Sequence, residues 1–107
     1  MATLVVLFNL KSGADQAAYE QWAIQSDIPT VSALTSVDAF RVLKASGMLG
    51  GGDTPYQYIE VIEVNDLTTL RGELAGEAIR RIAEEFRTFA DDPIFIMTNE
   101  LALGESR

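Results

Sequence analysis

At 107 residues and 48% hydrophobic, the chain is long enough for one domain with one core and too short for two. With no Cys and no His, it has no disulfide framework, thiolate nucleophile, Ser-His-Asp chemistry or usual zinc site, so any chemistry falls to carboxylates, Tyr, Arg, Lys or backbone. Eight basic residues against 16 acidic ones give a formal charge of −8 without a basic run, which argues against nucleic acid and anionic membranes as partners.

The longest apolar run, Ala2 to Phe8 broken by Thr3, is too short to span a bilayer and lacks the flanks of a signal peptide, so a cytoplasmic protein is expected. Thr3–Leu10 reads as a first strand, with Leu4, Val6, Phe8 and Leu10 on one face and Thr3, Val5, Leu7 and Asn9 on the other. Ser12 reads as a helix cap with Asp15 in the first turn, and Ala14–Ser26 as helix with an Ala14, Ala18, Trp22 stripe flanked by Tyr19 and Ala23. Asp27-Ile28-Pro29 then punctuates the chain. Asp27 can cap, and Pro29 is tolerated in a first turn, which predicts a separate short helix over Pro29–Leu34. Trp22 is left near the end of the first helix, as a core anchor or the wall of a pocket.

Ser36–Ala45 is a second strand, polar enough for a sheet edge. Gly47 to Pro55 follows as a flexible hairpin connection or a lid. It leads into a strand instead of a helix N-terminus, so it is not a phosphate loop. Pro55–Asn65 is the third strand, rich in Tyr, Ile and Val, with Tyr56, Tyr58, Glu60, Ile62 and Val64 on one face and Gln57, Ile59, Val61 and Glu63 on the other. Asp66 caps a short helix over Leu67–Arg71, and from Glu77 the residues Ile79, Ile82, Ala83, Phe86, Phe89 and Ala90 follow helical spacing. Asp91-Asp92-Pro93 ends that helix, Ile94–Leu103 is the fourth strand, and 104–107 reads as a flexible tail after a domain spanning 1–103.

Two doubly apolar strands with a helix between them suggest, by themselves, a βαβ unit with parallel neighbours. The complete order β-α-β-β-α-β is the split βαβ, ferredoxin-like pattern: an α+β fold with a four-stranded antiparallel sheet, order 4-1-3-2, and two main helices on one face. Two helices cover only one face of that sheet. The other face, with Val5, Leu7 and either Tyr58/Ile62 or Ile59/Val61, would be an exposed apolar patch in a monomer, which predicts a homodimer with facing sheets and a cavity. The purer apolar sets, Leu4, Val6, Phe8, Ile59 and Val61, are assigned to the helix side, which leaves Tyr58, Glu60 and Ile62 on the dimer side. Either Arg41 or Phe40 is expected opposite Glu60. The first gives a buried ion pair, the second an unpaired carboxyl with a raised pKa, suited to general acid/base work.

Several stretches carry a resemblance: Met1–Lys11, Tyr19 and Trp22, Asp27–Val31, Ser36–Leu43, Tyr56–Val64, and Phe89–Asp91 through Phe95-Ile96. Together they resemble the RedY-like HapK family, which belongs to the dimeric α/β-barrel superfamily and is linked to clusters making prodiginine pigments. The resemblance implies a homodimeric barrel in secondary metabolism and carries no catalytic residues over. The wider superfamily includes cofactor-free monooxygenases and polyketide cyclases, many understood through a histidine that this chain lacks. Three readings follow. The first is a small-molecule-binding accessory or condensation/cyclisation protein for a flat aromatic, pyrrole or polyketide-like ligand. In it Tyr19, Trp22 and Tyr58 form walls, Asn9 and Arg41 make polar contacts, and Glu60 is the candidate catalytic group. The second is a cofactor-independent monooxygenase, and the third a non-catalytic dimerisation or partner-binding module. None of the three calls for a bound cofactor or metal.

Overall fold

A computed structural model describes residues 2–104; the rest of the expected tail, 105–107, lies outside the described residues. Strands β1 (Ala2–Leu10), β2 (Val37–Lys44), β3 (Tyr58–Val64) and β4 (Ala90–Asn99) form one sheet in the order β2-β3-β1-β4. Every neighbouring pair is antiparallel, β1 and β3 included, so the parallel pairing suggested by those two strands alone is corrected. Helices α1 (Gln16–Trp22), α2 (Ile28–Ser32), α3 (Leu67–Glu73) and α4 (Glu77–Phe89) complete the predicted α+β order.

The first helical segment departs from the expected break. Asp15, not Ser12, caps α1, accepting from the Ala17 amide at 3.0 Å. Between α1 and α2 the chain stays helical but widens into a π turn over Ala23–Asp27, where the Ile28 amide reaches the Ala23 carbonyl five residues back. Asp27 has helical backbone angles and makes no capping bond. Pro29 sits in the first turn of α2, where its missing amide is tolerated. Such widened turns are rare and frequently mark functional positions.

Asp66 caps α3 as expected, accepting from the Thr68 amide at 3.1 Å. At its other end Glu73 accepts from the backbone and side chains of Thr35 and Ser36, which fixes the turn that leads into β2. The fourth strand begins earlier than predicted. Asp91, Asp92 and Pro93 lie inside β4, where the register against β1 shifts between Leu7 and Asn9, and Asp92 takes a positive φ of 46°. Pro93 is accommodated because β4 is an edge strand with a bulge at that point.

Register decides the faces. Leu4 pairs with Ile62, Val6 with Glu60 and Phe8 with Tyr58. These residues therefore share the helix-covered face, and Ile59 and Val61 lie on the outer face with Val5 and Leu7. The assignment made on apolar purity is thus reversed for β3: Glu60 belongs to the core side. That core is organised around Phe8, fully buried, which stacks on Tyr58 at 5.5 Å and meets Tyr19 and Phe86 edge-on at 5.6 and 4.9 Å.

Candidate functional site

Glu60 and Asp27 are brought together between the sheet and the helices. Glu60 stands at the middle of β3 and Asp27 at the end of the π turn, with 6% and 4% of their surface exposed. Both line one cavity of about 130 Å³, whose other walls are apolar, among them Val6, Phe40, Ile62, Leu70 and Phe86. The residue opposite Glu60 on β2 is Val42, so neither of the expected partners, Arg41 or Phe40, faces it. Arg41 is opposite Val61 on the outer face, where it is exposed.

With no cation against it, the pair is held toward its neutral forms. Burial pushes the Asp27 carboxyl up to about 7. Burial, and then the neighbouring Asp27 charge, push Glu60 up to about 8. One carboxyl oxygen of Glu60, Oε2, is buried and has no hydrogen-bond partner. Neutrality follows from the surroundings: an ionised carboxylate in an apolar cavity loses far more hydration than a protonated one.

Tyr19 brings a second unpartnered polar atom. Its ring is fully buried against Phe8 and Tyr58, its hydroxyl makes no hydrogen bond, and burial followed by the Glu60 and Asp27 charges raises its pKa. A second cavity, of about 150 Å³, adjoins Tyr19 and is lined by Glu20, Ala23, Ile24, Ile28, Val42, Lys44 and Tyr58. At its rim the Tyr58 hydroxyl donates to Glu20 Oε2 at 2.6 Å and Lys44 Nζ pairs with the same oxygen at 2.9 Å. Those contacts, the Tyr58 hydrogen bond first, lower the Glu20 pKa. Burial, with the Glu20 bond second, pushes Tyr58 up to about 12. The only basic group lining either cavity is therefore already paired.

The remaining expected site residues have other employment. Trp22 packs on Tyr19, Phe86 and Phe89, its indole N–H donates to Glu85 at 2.9 Å, and it lines neither cavity, in keeping with the anchor alternative. Asn9 clamps the Gly-rich connection where it enters β3, donating to the Pro55 carbonyl at 3.1 Å and accepting from the Gln57 amide at 2.9 Å. Within that connection Gly51 and Gly52 hold φ near 95°, a conformation that favours glycine. Asp27 is the residue that sequence reasoning missed. An Asp ahead of Ile-Pro looks like a helix start, and only the π turn directs it inward.

Because the Tyr19 hydroxyl is buried without a partner, Tyr19→Phe should leave stability unchanged or raise it by up to about 1 kcal/mol in a denaturant titration. A loss of more than about 1 kcal/mol would show that the hydroxyl is hydrogen-bonded in solution.

The fold and this geometry can now be set beside known proteins. The family model described as REDY-like protein HapK matches residues 2–101. The chain belongs to this family. The crystal structure of HapK from Hahella chejuensis is 25% identical, with 100% of this chain and 99% of that one covered and a TM-score of 0.79. Beyond the HapK family, SnoaB, a cofactor-independent oxygenase from Streptomyces nogalater, is 16% identical over 97% of each chain with a TM-score of 0.76. A dimeric ferredoxin-like protein of unknown function from Thermobifida fusca is 13% identical, covering 91% of this chain and 88% of its own, with a TM-score of 0.73. These last two show the shared ferredoxin-like fold alone. No curated protein matches the chain. Among the described residues no helix is long and apolar enough to cross a membrane, and no group of three or more acidic side chains is placed to hold a metal ion.

Proposed function

We propose that this HapK-family protein is a homodimer that binds a small, flat organic molecule between its sheet and helices and moves a proton on it. The observation that carries this reading is the Asp27–Glu60 pair, two buried carboxyl groups on one apolar cavity with an unpartnered oxygen. Two acids whose pKa values straddle neutrality can hold one proton between them, so one accepts while the other donates. A condensation or cyclisation needs such a transfer on an oriented substrate and little else. The family resemblance sets this chemistry in secondary metabolism of the prodiginine type.

The homodimer rests on the outer sheet face. Val5, Leu7, Ile59, Val61, Ile94 and Ile96 form an apolar surface there with no helix over it, and Ile94 and Ile96 are 40% and 42% exposed. A second reading, oxygen chemistry without a cofactor, draws support from the fold shared with SnoaB and would use the same pair to deprotonate an electron-rich substrate. Turnover that needs oxygen and no added cofactor would select it over the first.

Native mass spectrometry of the protein purified from its producing cells tests the proposal. A dimer carrying a discrete small-molecule mass is the expected spectrum. A monomer would overturn the assembly, and an empty dimer would favour a module that binds only protein partners.

A further inference from the structure

We propose that the Asp27–Glu60 cavity selects a ligand bearing a nitrogen cation, such as a protonated amine or protonated N-heterocycle on a single ring, and rejects anions. This deepens the reading above and rests on it. The sign comes from the lining: among its 14 residues the only charged side chains are two carboxyls, and no Lys or Arg is present. The orphaned Glu60 Oε2, deep in the molecule, is an acceptor in want of a donor. The Tyr19 hydroxyl, also buried and unpartnered, adds a neutral acceptor near the same charges.

Every charged group packed around the pair supports the same sign. From α1 comes Glu20 and from β2 Lys44, already paired with each other at the rim. From α4 comes Glu85, which holds the Trp22 indole. Arg80, Arg81 and Arg87 of α4 are exposed. A carboxylate or phosphate entering this cavity would face two acids without a counter-charge. An N–H cation would instead be paired and hydrogen-bonded on arrival, which is the condition under which a buried charge is tolerated. Its volume, about 130 Å³, limits the ligand part inside to one ring, since an apolar cavity of roughly 150 Å³ takes a benzene-sized molecule.

Cation entry is linked to protons. Both carboxyls are raised toward neutrality by burial, so a bound cation displaces a proton from the pair, and its affinity rises as the pair ionises. The rim carboxylate Glu20 is held low and stays charged throughout.

Three probes of similar size separate the possibilities: benzylamine, benzyl alcohol and benzoate, each titrated into the full chain and followed residue by residue by NMR. We expect benzylamine to shift cavity residues at neutral pH with at least tenfold higher affinity than benzyl alcohol, benzoate to leave them unmoved, and amine affinity to rise several-fold from about pH 6 to about pH 8. Glu60→Gln should reduce the amine's advantage to less than threefold while benzyl alcohol still binds, which also shows that the variant is folded. Alcohol or benzoate binding as tightly as the amine would overturn the charge selection and leave the small-molecule cavity standing. Amine shifts confined to exposed acidic residues and indifferent to Glu60→Gln would overturn it too. Failure of all three probes to move any cavity residue would overturn the cavity reading itself, and this inference with it.

Discussion

The protein should melt roughly 10–20 °C higher at about pH 5 than at about pH 8, the reverse of what an acidic protein stabilised by ion pairs would do. Asp27 and Glu60 hold their protons in the fold up to about 7 and about 8, against ordinary values of 3.8 and 4.5. As the pH climbs through that window the unfolded chain loses these protons first. The folded state then binds more protons than the unfolded one, and stability falls with rising pH, by on the order of 3 kcal/mol for the pair. The stabilising share is complete below the ordinary carboxyl range and is lost on passing the raised values. Glu20, Asp66 and Glu73 are shifted downward by their hydrogen bonds, so their contribution is lost only under stronger acid and leaves the window clear. Glu60→Gln should remove more than half of the slope. A melting temperature that climbs steadily from about pH 5 to about pH 8 would mean that the pair is ionised in the fold.

Phe8→Ala should cost about 3–5 kcal/mol, enough to unfold much of a domain of this size at body temperature. Phe8 is fully buried and is the one ring that touches Tyr19, Tyr58 and Phe86 together. Its loss removes a large apolar transfer term and three aromatic contacts, and leaves a hole between β1 and the helices that the sheet cannot close by moving. Ile24→Ala, on the exposed side of the π turn with 67% of Ile24's surface in solvent, provides the contrast and should change stability by less than about 1 kcal/mol. Urea titrations of the two variants measure both values. Equal costs would place the centre of the core somewhere other than Phe8.

Much of this fold was legible because apolar alternation names strands and a 3.6-residue stripe names helices. The strand order, the hairpin glycines, the Asp66 cap and the helix from Glu77 all follow from such local patterns. The site was legible only in half. Glu60 stood out as a carboxyl in an apolar strand, yet both faces of β3 are apolar, and the contest between Tyr58/Ile62 and Ile59/Val61 was decided by pairing with β1, which no single strand records. Purity was a poor guide because a ligand-sized cavity lets the helix side hold a carboxyl and a tyrosine hydroxyl. Arg41 was misplaced for the same reason, one residue of register having moved it to the opposite face. Pro93 read as a stop because a bulge cannot be seen before its partner strand is known.

The π turn has a consequence for how such a pair can be gained or lost. A π turn contains one residue more than the α-helical turn it replaces, and in a regular α-helix each residue advances about 100° around the axis. Deleting a single position between Ala23 and Asp27 would restore the ordinary helix and swing the Asp27 carboxyl about a quarter of a circle from its present bearing. Glu60 would then stand alone, with every residue type in the cavity unchanged. Chain length, counted to the single residue, thus acts as a determinant of proton chemistry here, and two relatives with identical acids but unequal spacing need not share it.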